Sequence, residues 1–70
     1  MRIVEVSVEP VELYKILKFE GMVSSGGEAK SVIAAGQVLV NGQIETRKRK
    51  KIISGDVIEF GKEKVCIQLK

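Results

Sequence analysis

Two stretches of this chain carry residues whose types and spacing could do chemistry, and in both the chemistry is the holding of an anion. The first is Arg47-Lys48-Arg49-Lys50-Lys51, five cations in a row. Adjacent like charges repel, so these side chains must face solvent or a partner of opposite sign. The run follows a turn signal and precedes the apolar pair Ile52-Ile53, so both of its ends are tied to the fold. Tying the ends lowers the ordering cost of binding. The second stretch is Ser25-Gly26-Gly27-Glu28. It reads as a capping box, with Ser25 accepting from the Glu28 N–H and Glu28 reaching back to the Ser25 N–H. A helix that starts there presents unpaired N–H groups and a partial positive charge, the elements of a phosphate site. Gly26 and Gly27 leave no side chain in the way of a close approach. Capping boxes are common, however, and the Glu28 carboxylate sits at the same end of the dipole, so this segment alone does not argue for an anion.

Other chemistries lack their residues. The chain has no histidine and one cysteine, Cys66. No carboxylate pair suggests acid–base catalysis, and no cluster has metal-ligand spacing. Gly26-Gly27 does not lead into the Gly-Lys-Ser/Thr of a nucleotide-binding loop. The expectation is a protein that is not an enzyme and needs no cofactor. Tyr14, Phe19 and Phe60 are the only aromatics, and their positions suit packing in or beside a core. The paired rings on which single-stranded bases stack are missing, so recognition by shape and phosphate is expected.

Charge distribution agrees. The chain holds 12 Lys and Arg against 9 Asp and Glu, for a net charge of +3. With the five cations of 47–51 set aside, seven remain against nine carboxylates, a balance of −2. The positive potential is thus focused on one segment, as for a directed anion-binding face. A single cysteine cannot form an internal disulfide, which suits a reducing cytoplasm. No apolar run approaches the roughly 20 residues that span a bilayer, so no membrane partner is expected.

The elements that position these residues follow from periodicity. Arg2 to Val8 alternates, with Val4, Val6 and Val8 on one face, and reads as an edge strand. Pro10 fits the first position of a helix over Pro10–Glu20, with Leu13, Ile16 and Leu17 as its apolar stripe, Glu12 in its first turn and Gly21 as its stop. A second helix is expected over Ser25–Ala35, with Ala29, Val32 and Ile33 inward and Gly36 closing it. Asn41-Gly42 is a strong hairpin signal, because a type I′ turn needs φ > 0 at both positions. Strands are expected at Gln37–Val40, Gln43–Glu45, Val57–Phe60 and Lys64–Leu69. The fold class is α+β: one domain over residues 1–70, with two packed helices followed by a small antiparallel sheet and hairpin.

With these pieces in place, the chain resembles the RNA-binding domain of the ribosomal-protein S-four type, especially its small stand-alone YbcJ-like bacterial members. The resemblance rests on Leu13-Tyr14-Lys15-Ile16-Leu17-Lys18, Ser25-Gly26-Gly27-Glu28-Ala29-Lys30, Gly36-Gln37-Val38-Leu39-Val40-Asn41-Gly42, Glu45-Thr46 with the basic run, and Gly55-Asp56-Val57-Ile58. It implies that the two helices and the hairpin form a surface for structured RNA, ribosomal RNA or tRNA among the candidates, either free or in a ribosome or ribosomal subunit. It implies RNA-binding roles for Ser25, Gly26, Gly27, Lys30, Gln37, Arg47, Lys48, Arg49, Lys50 and Lys51. Many members carry a cation where this chain has Gly26 or Gly27, which shifts the expected phosphate contacts toward backbone and the basic run. The competing reading is an adaptor that docks an acidic protein through the basic loop.

Overall fold

Each helix stops where a glycine lets the chain turn into the left-handed region. The computed structural model describes residues 1–70. After α1 (Leu13–Phe19), Gly21 has φ +70; its N–H bonds to the Lys18 carbonyl at 3.2 Å and the Met22 N–H to that of Leu17 at 3.0 Å. After α2 (Gly26–Ala34), Gly36 has φ +77 and the same pair of bonds recurs, Gly36 to Ile33 at 3.0 Å and Gln37 to Val32 at 3.1 Å. Both ends are Schellman motifs, which satisfy carbonyls that a helix otherwise leaves open.

Five strands form a mixed sheet in the order β1-β7-β6-β3-β4. They are β1 (Arg2–Val6), β3 (Val38–Val40), β4 (Gln43–Ile44), β6 (Val57–Phe60) and β7 (Glu63–Leu69). Asn41 and Gly42, at φ 54 and 82, join β3 to β4 as the expected tight turn. Asn41 also ties this turn to the next. Its Nδ2 donates to Asp56 at 3.0 Å, and its Oδ1 accepts from the Val57 N–H at 2.9 Å. The other ladders are antiparallel, but β1 joins β7 in parallel, with Val4 opposite Ile67. The sheet is therefore mixed, where the sequence led us to expect an antiparallel one. No hairpin links these two strands, and pairing two buried side chains sets their register.

A second, two-stranded ladder corrects the start of the first helix. Val11–Glu12 (β2) pairs antiparallel with Lys51–Ile52 (β5), and the helix begins only at Leu13. Pro10 is thus not its first residue, and Glu12 is its cap rather than part of its first turn. The edge strand likewise stops at Val6, and Val8 is exposed.

Fourteen residues are buried, and every one is apolar. They form one contiguous core: Leu13, Ile16, Leu17, Ala29 and Ile33 from the helices meet Val4, Val38, Val40, Ile58, Val65 and Ile67 from one face of the sheet. Ile52 is fully buried but Ile53 is half exposed, so only the first of that pair returns to the core. No helix is long and apolar enough to cross a membrane. With no polar side chain inside, the groups that can meet a ligand all lie at the surface.

Candidate nucleic-acid interface

The basic run is held against the start of α1 by its own backbone. The Leu13 N–H donates to the Lys50 carbonyl at 2.9 Å, and the Tyr14 N–H to that of Lys48 at 3.1 Å. Two of the four N–H groups that a helix leaves open at its start are thereby satisfied, so α1 needs no side-chain cap and has none. A turn closed by Lys50 N–H to Arg47 carbonyl, at 3.1 Å, lies within the run. The β2–β5 ladder holds its far end. Carbonyls point to the helix, and the cationic side chains are left outside.

Four of the five then line one shallow cleft of about 400 Å³: Arg47, Arg49, Lys50 and Lys51, with no other residue in its wall. Lys48 stands outside it. The cations differ in how free they are. Arg47 is clamped by Glu45, with Nε to Oε2 at 2.9 Å and Nη2 to Oε1 at 3.0 Å. The two bonds to the Arg47 side chain, helped by its backbone N–H, pull the Glu45 carboxyl from 4.5 down to about 2, and the carboxylate raises the Arg47 pKa in turn. Lys50 and Lys51 make no ion pair.

Tyr14 connects the cleft to the second helix. Lys30 Nζ lies 4.8 Å from its ring centroid, the Arg49 guanidinium carbon 5.8 Å and Lys15 Nζ 6.0 Å. All three are within cation–π range. Glu12 offsets part of this charge, at 3.3 Å from Lys15 and 3.6 Å from Arg49. Lys30 has no anion beside it. One half-buried ring thus gathers cations from α1, α2 and the loop.

At the start of α2, Ser25 Oγ accepts from the Glu28 N–H at 3.1 Å, as expected of the cap. The return bond differs from the expected one: Glu28 Oε1 accepts from the N–H and the hydroxyl of Ser24, both at 2.7 Å, not from the Ser25 N–H. Ser25 is fully extended, at φ −155 and ψ 164, and the carboxylate meets the residue before it. The Ser24 N–H, and after it the hydroxyl, lowers the Glu28 pKa. Neither Gly26 nor Gly27 has a left-handed φ. A Cβ at Gly27 would meet only Ser25 Oγ, at 3.9 Å, and one at Gly26 only the Lys18 side chain, at 3.8 Å. Neither backbone strain nor crowding requires glycine at either position.

Residues 4–68 match the S4 domain family. This chain belongs to that family. It is 51% identical over 57 residues to the putative RNA-binding protein YbcJ of Escherichia coli (strain K12), covering 81% of each chain. It is 34% identical, again over 57 residues, to the probable ribosome maturation protein RlbA of Bacillus subtilis (strain 168), covering 81% of this chain and 80% of that one. The solution structure of YbcJ from E. coli, described as revealing a motif involved in RNA binding, superposes with a TM-score of 0.74 at 42% identity. The match covers 97% of this chain and 87% of that one.

On this S4 domain, Ser25, Gly26 and Gly27 lie at the start of α2 with Lys30 one turn on, and Lys30 and Arg49 both lie near the Tyr14 ring. Gln37 stands beyond the other end of α2, past the turn at Gly36, and its side chain makes no hydrogen bond to the rest. Three residues escaped the sequence reading. Tyr14, taken there as packing, does pack on the core but also collects the cations. Lys15 is one of these, and Lys18 reaches Gly26. The usable signal was Lys15 and Lys18 three apart on α1, flanking the apolar stripe. Phe19, also read as a packing residue, is 68% exposed.

Proposed function

We propose that this S4 domain binds structured RNA, ribosomal RNA or another stable RNA such as tRNA, as a single unit over residues 1–70 without a cofactor. The contact surface runs from the start of α2 through Lys30, Tyr14 and Arg49 into the cleft of Arg47, Lys50 and Lys51. One observation carries the reading: four cations line a single shallow cleft on a loop fixed by backbone bonds, so the points from which their side chains reach out are set before a ligand arrives. A fixed row of charges fits a phosphate backbone whose geometry is also fixed, and a folded RNA supplies that. The names of the relatives, a putative RNA-binding protein and a probable ribosome maturation protein, support RNA as the ligand and an assembling or mature ribosomal subunit as its source.

Each part has a role in this reading. The cleft neutralises phosphates. The Tyr14 ring, its face occupied by cations, orients Lys30 and Arg49 instead of stacking a base. The glycines let a sugar-phosphate strand approach the open N–H groups of α2. Such binding takes place in the cytoplasm. Crosslinking in cells, followed by sequencing of the attached RNA, tests the proposal. Recovery of ribosomal or transfer RNA is the expected result. Recovery of acidic proteins without RNA would replace it with the adaptor reading.

A further inference from the structure

Among the five cations of the run, Arg47 alone has a side chain whose direction the chain itself fixes. Its Nε and Nη2 both donate to the Glu45 carboxylate, at 2.9 and 3.0 Å. Arg49 makes only a looser ion pair, at 3.6 Å from Glu12. The side chains of Lys48, Lys50 and Lys51 make neither an ion pair nor a hydrogen bond. The clamp is anchored from behind. The Glu45 N–H donates at 2.9 Å to the carbonyl of Val38, a fully buried residue of β3. Glu45 Oε2 also accepts from the Arg47 N–H at 3.0 Å, and the Arg47 carbonyl closes the turn with the Lys50 N–H. The backbone of Arg47 is thus fixed on both sides, and its guanidinium along one edge. The Glu45 side chain is tucked in, 13% exposed, while that of Arg47 reaches out, 70% exposed.

The edge left free has its own chemistry. A guanidinium carries five N–H groups in one plane. Nε and Nη2 form the edge that faces Glu45. The other three N–H groups make no bond within the chain. Two of them, one on Nη1 and one on Nη2, run parallel off the tip of the side chain. Such a fork fits two acceptors that lie side by side in its plane. The carboxylate cancels the charge of Arg47, so the pair has little net attraction for a phosphate, but the directional donors remain. A pair of neutral acceptors suits it best.

Bases differ in what they offer such a fork. On the edge that a paired nucleotide turns to the major groove, guanine shows two adjacent acceptors, N7 and O6. Adenine shows an acceptor beside a donor, cytosine a donor, and uracil a single acceptor. Only guanine matches. Along a continuous A-form helix that groove is too deep and narrow for side chains, but bases at loops, bulges and ends can be reached. Arg49, Lys50 and Lys51 share the cleft wall with Arg47, which puts phosphate contacts beside a base contact.

We propose, resting on the RNA-binding reading above, that Arg47 held by Glu45 reads the N7 and O6 edge of one guanine at a loop, bulge or helix end of the bound RNA. The neighbouring cations hold the phosphates on either side. Glu45 is a positioning residue: it aims the fork and cancels the charge that would otherwise draw Arg47 to a phosphate. Removing the Glu45 charge turns Arg47 from a reader of a base into one more phosphate contact. The domain thereby gains a base preference that a row of cations lacks.

The test is selection by the full chain from a pool of hairpin RNAs whose loop and closing base pair are randomised, followed by sequencing of the bound RNA. Wild type should enrich guanine at one position. Arg47→Lys keeps the charge but has no fork, and should lose that enrichment. Glu45→Gln should lose most of it while its salt slope steepens, an opposite movement of specificity and charge that a merely structural role would not produce. In an enriched hairpin, 7-deazaguanine at the selected position removes the N7 acceptor alone. It should weaken wild-type binding about fivefold or more, while Arg47→Lys should bind the two RNAs equally. Circular dichroism checks that each variant is folded. Hairpin binding without a guanine preference, a preference retained in either variant, or indifference of wild type to 7-deazaguanine would overturn the inference and leave RNA binding standing. Failure of every hairpin to bind would remove RNA binding itself, and the inference with it.

Discussion

Replacing Arg49 and Lys50 together with alanine tests whether the cleft, and not merely the charge of the run, contacts phosphate. Arg47 and Glu45 form a pair of zero net charge, so Arg47 releases few counterions. On the proposed contact surface the remaining cations are Lys30, Lys50, Lys51 and Arg49, whose pair with Glu12 is looser at 3.6 Å. At roughly 0.7 to 0.9 ions per contact, four contacts give a slope of log affinity against log salt of about −2.8 to −3.6. Between about 50 and 200 mM salt the wild type should lose about 50- to 150-fold in affinity for a hairpin RNA. The double variant should lose only about 7- to 12-fold, its slope being flatter by about 1.4 to 1.8. Lys48→Ala removes one charge from the same run but from outside the cleft, and should leave the slope unchanged. Glu45→Gln frees Arg47 and should steepen it by about 0.7 to 0.9. Titration by fluorescence anisotropy at several salt concentrations reads all four proteins. Stability should fall by less than about 1 kcal/mol in Lys48→Ala and in the double variant, because exposed cations contribute little. The reasoning fails if Lys48→Ala flattens the slope by half as much as the double variant does, for then only the total charge matters.

Three further outcomes follow from particular contacts. Tyr14→Leu should weaken RNA binding about three- to tenfold, since the ring no longer holds Lys15, Lys30 and Arg49 in place; Tyr14→Phe keeps the ring and should bind as wild type, and equal losses would deny the ring its role. The Glu45 carboxyl should titrate by NMR near 2. Its pairing thus supports the fold fully above about 4.5 and less and less as pH falls toward 2, and Arg47→Ala should return the midpoint to about 4.3. Gly27→Ala places a Cβ in ordinary contact with Ser25 Oγ, at 3.9 Å, and should raise stability by up to about 1 kcal/mol in thermal melts, while Gly27→Glu should cut RNA affinity in a folded protein. Undiminished affinity in Gly27→Glu would remove the start of α2 from the site.

What the sequence determined by itself is the set of features whose physics is local. Ser25 caps because its side chain reaches an N–H three residues on. Gly21, Gly36, Asn41 and Gly42 turn the chain because their own φ angles allow it. The strand Val57–Phe60 follows from alternation and two flanking turns. The basic run had to be exposed, since five adjacent cations cannot be buried. The clamp of Glu45 on Arg47 was also within reach, two residues apart along one extended segment.

Tertiary structure decided the rest. Helix α1 begins at Leu13 rather than Pro10 because Val11 and Glu12 pair with Lys51 and Ile52, about 40 residues away. The carbonyls of Lys48 and Lys50, far along the chain, accept from the first N–H groups of α1. The β1–β7 pairing joins the two ends of the chain, a distance over which no turn sets direction or register. Tyr14 becomes the centre of a cation cluster only because residues 15, 30 and 49 converge on it. A ring in a sequence carries no sign of which cations will lie over its face, since that depends on how α1, α2 and the loop pack. Local chemistry fixed where the chain turns and where its charge lies. Packing fixed which charges share a surface, because contacts between distant residues form only when a common core brings them together.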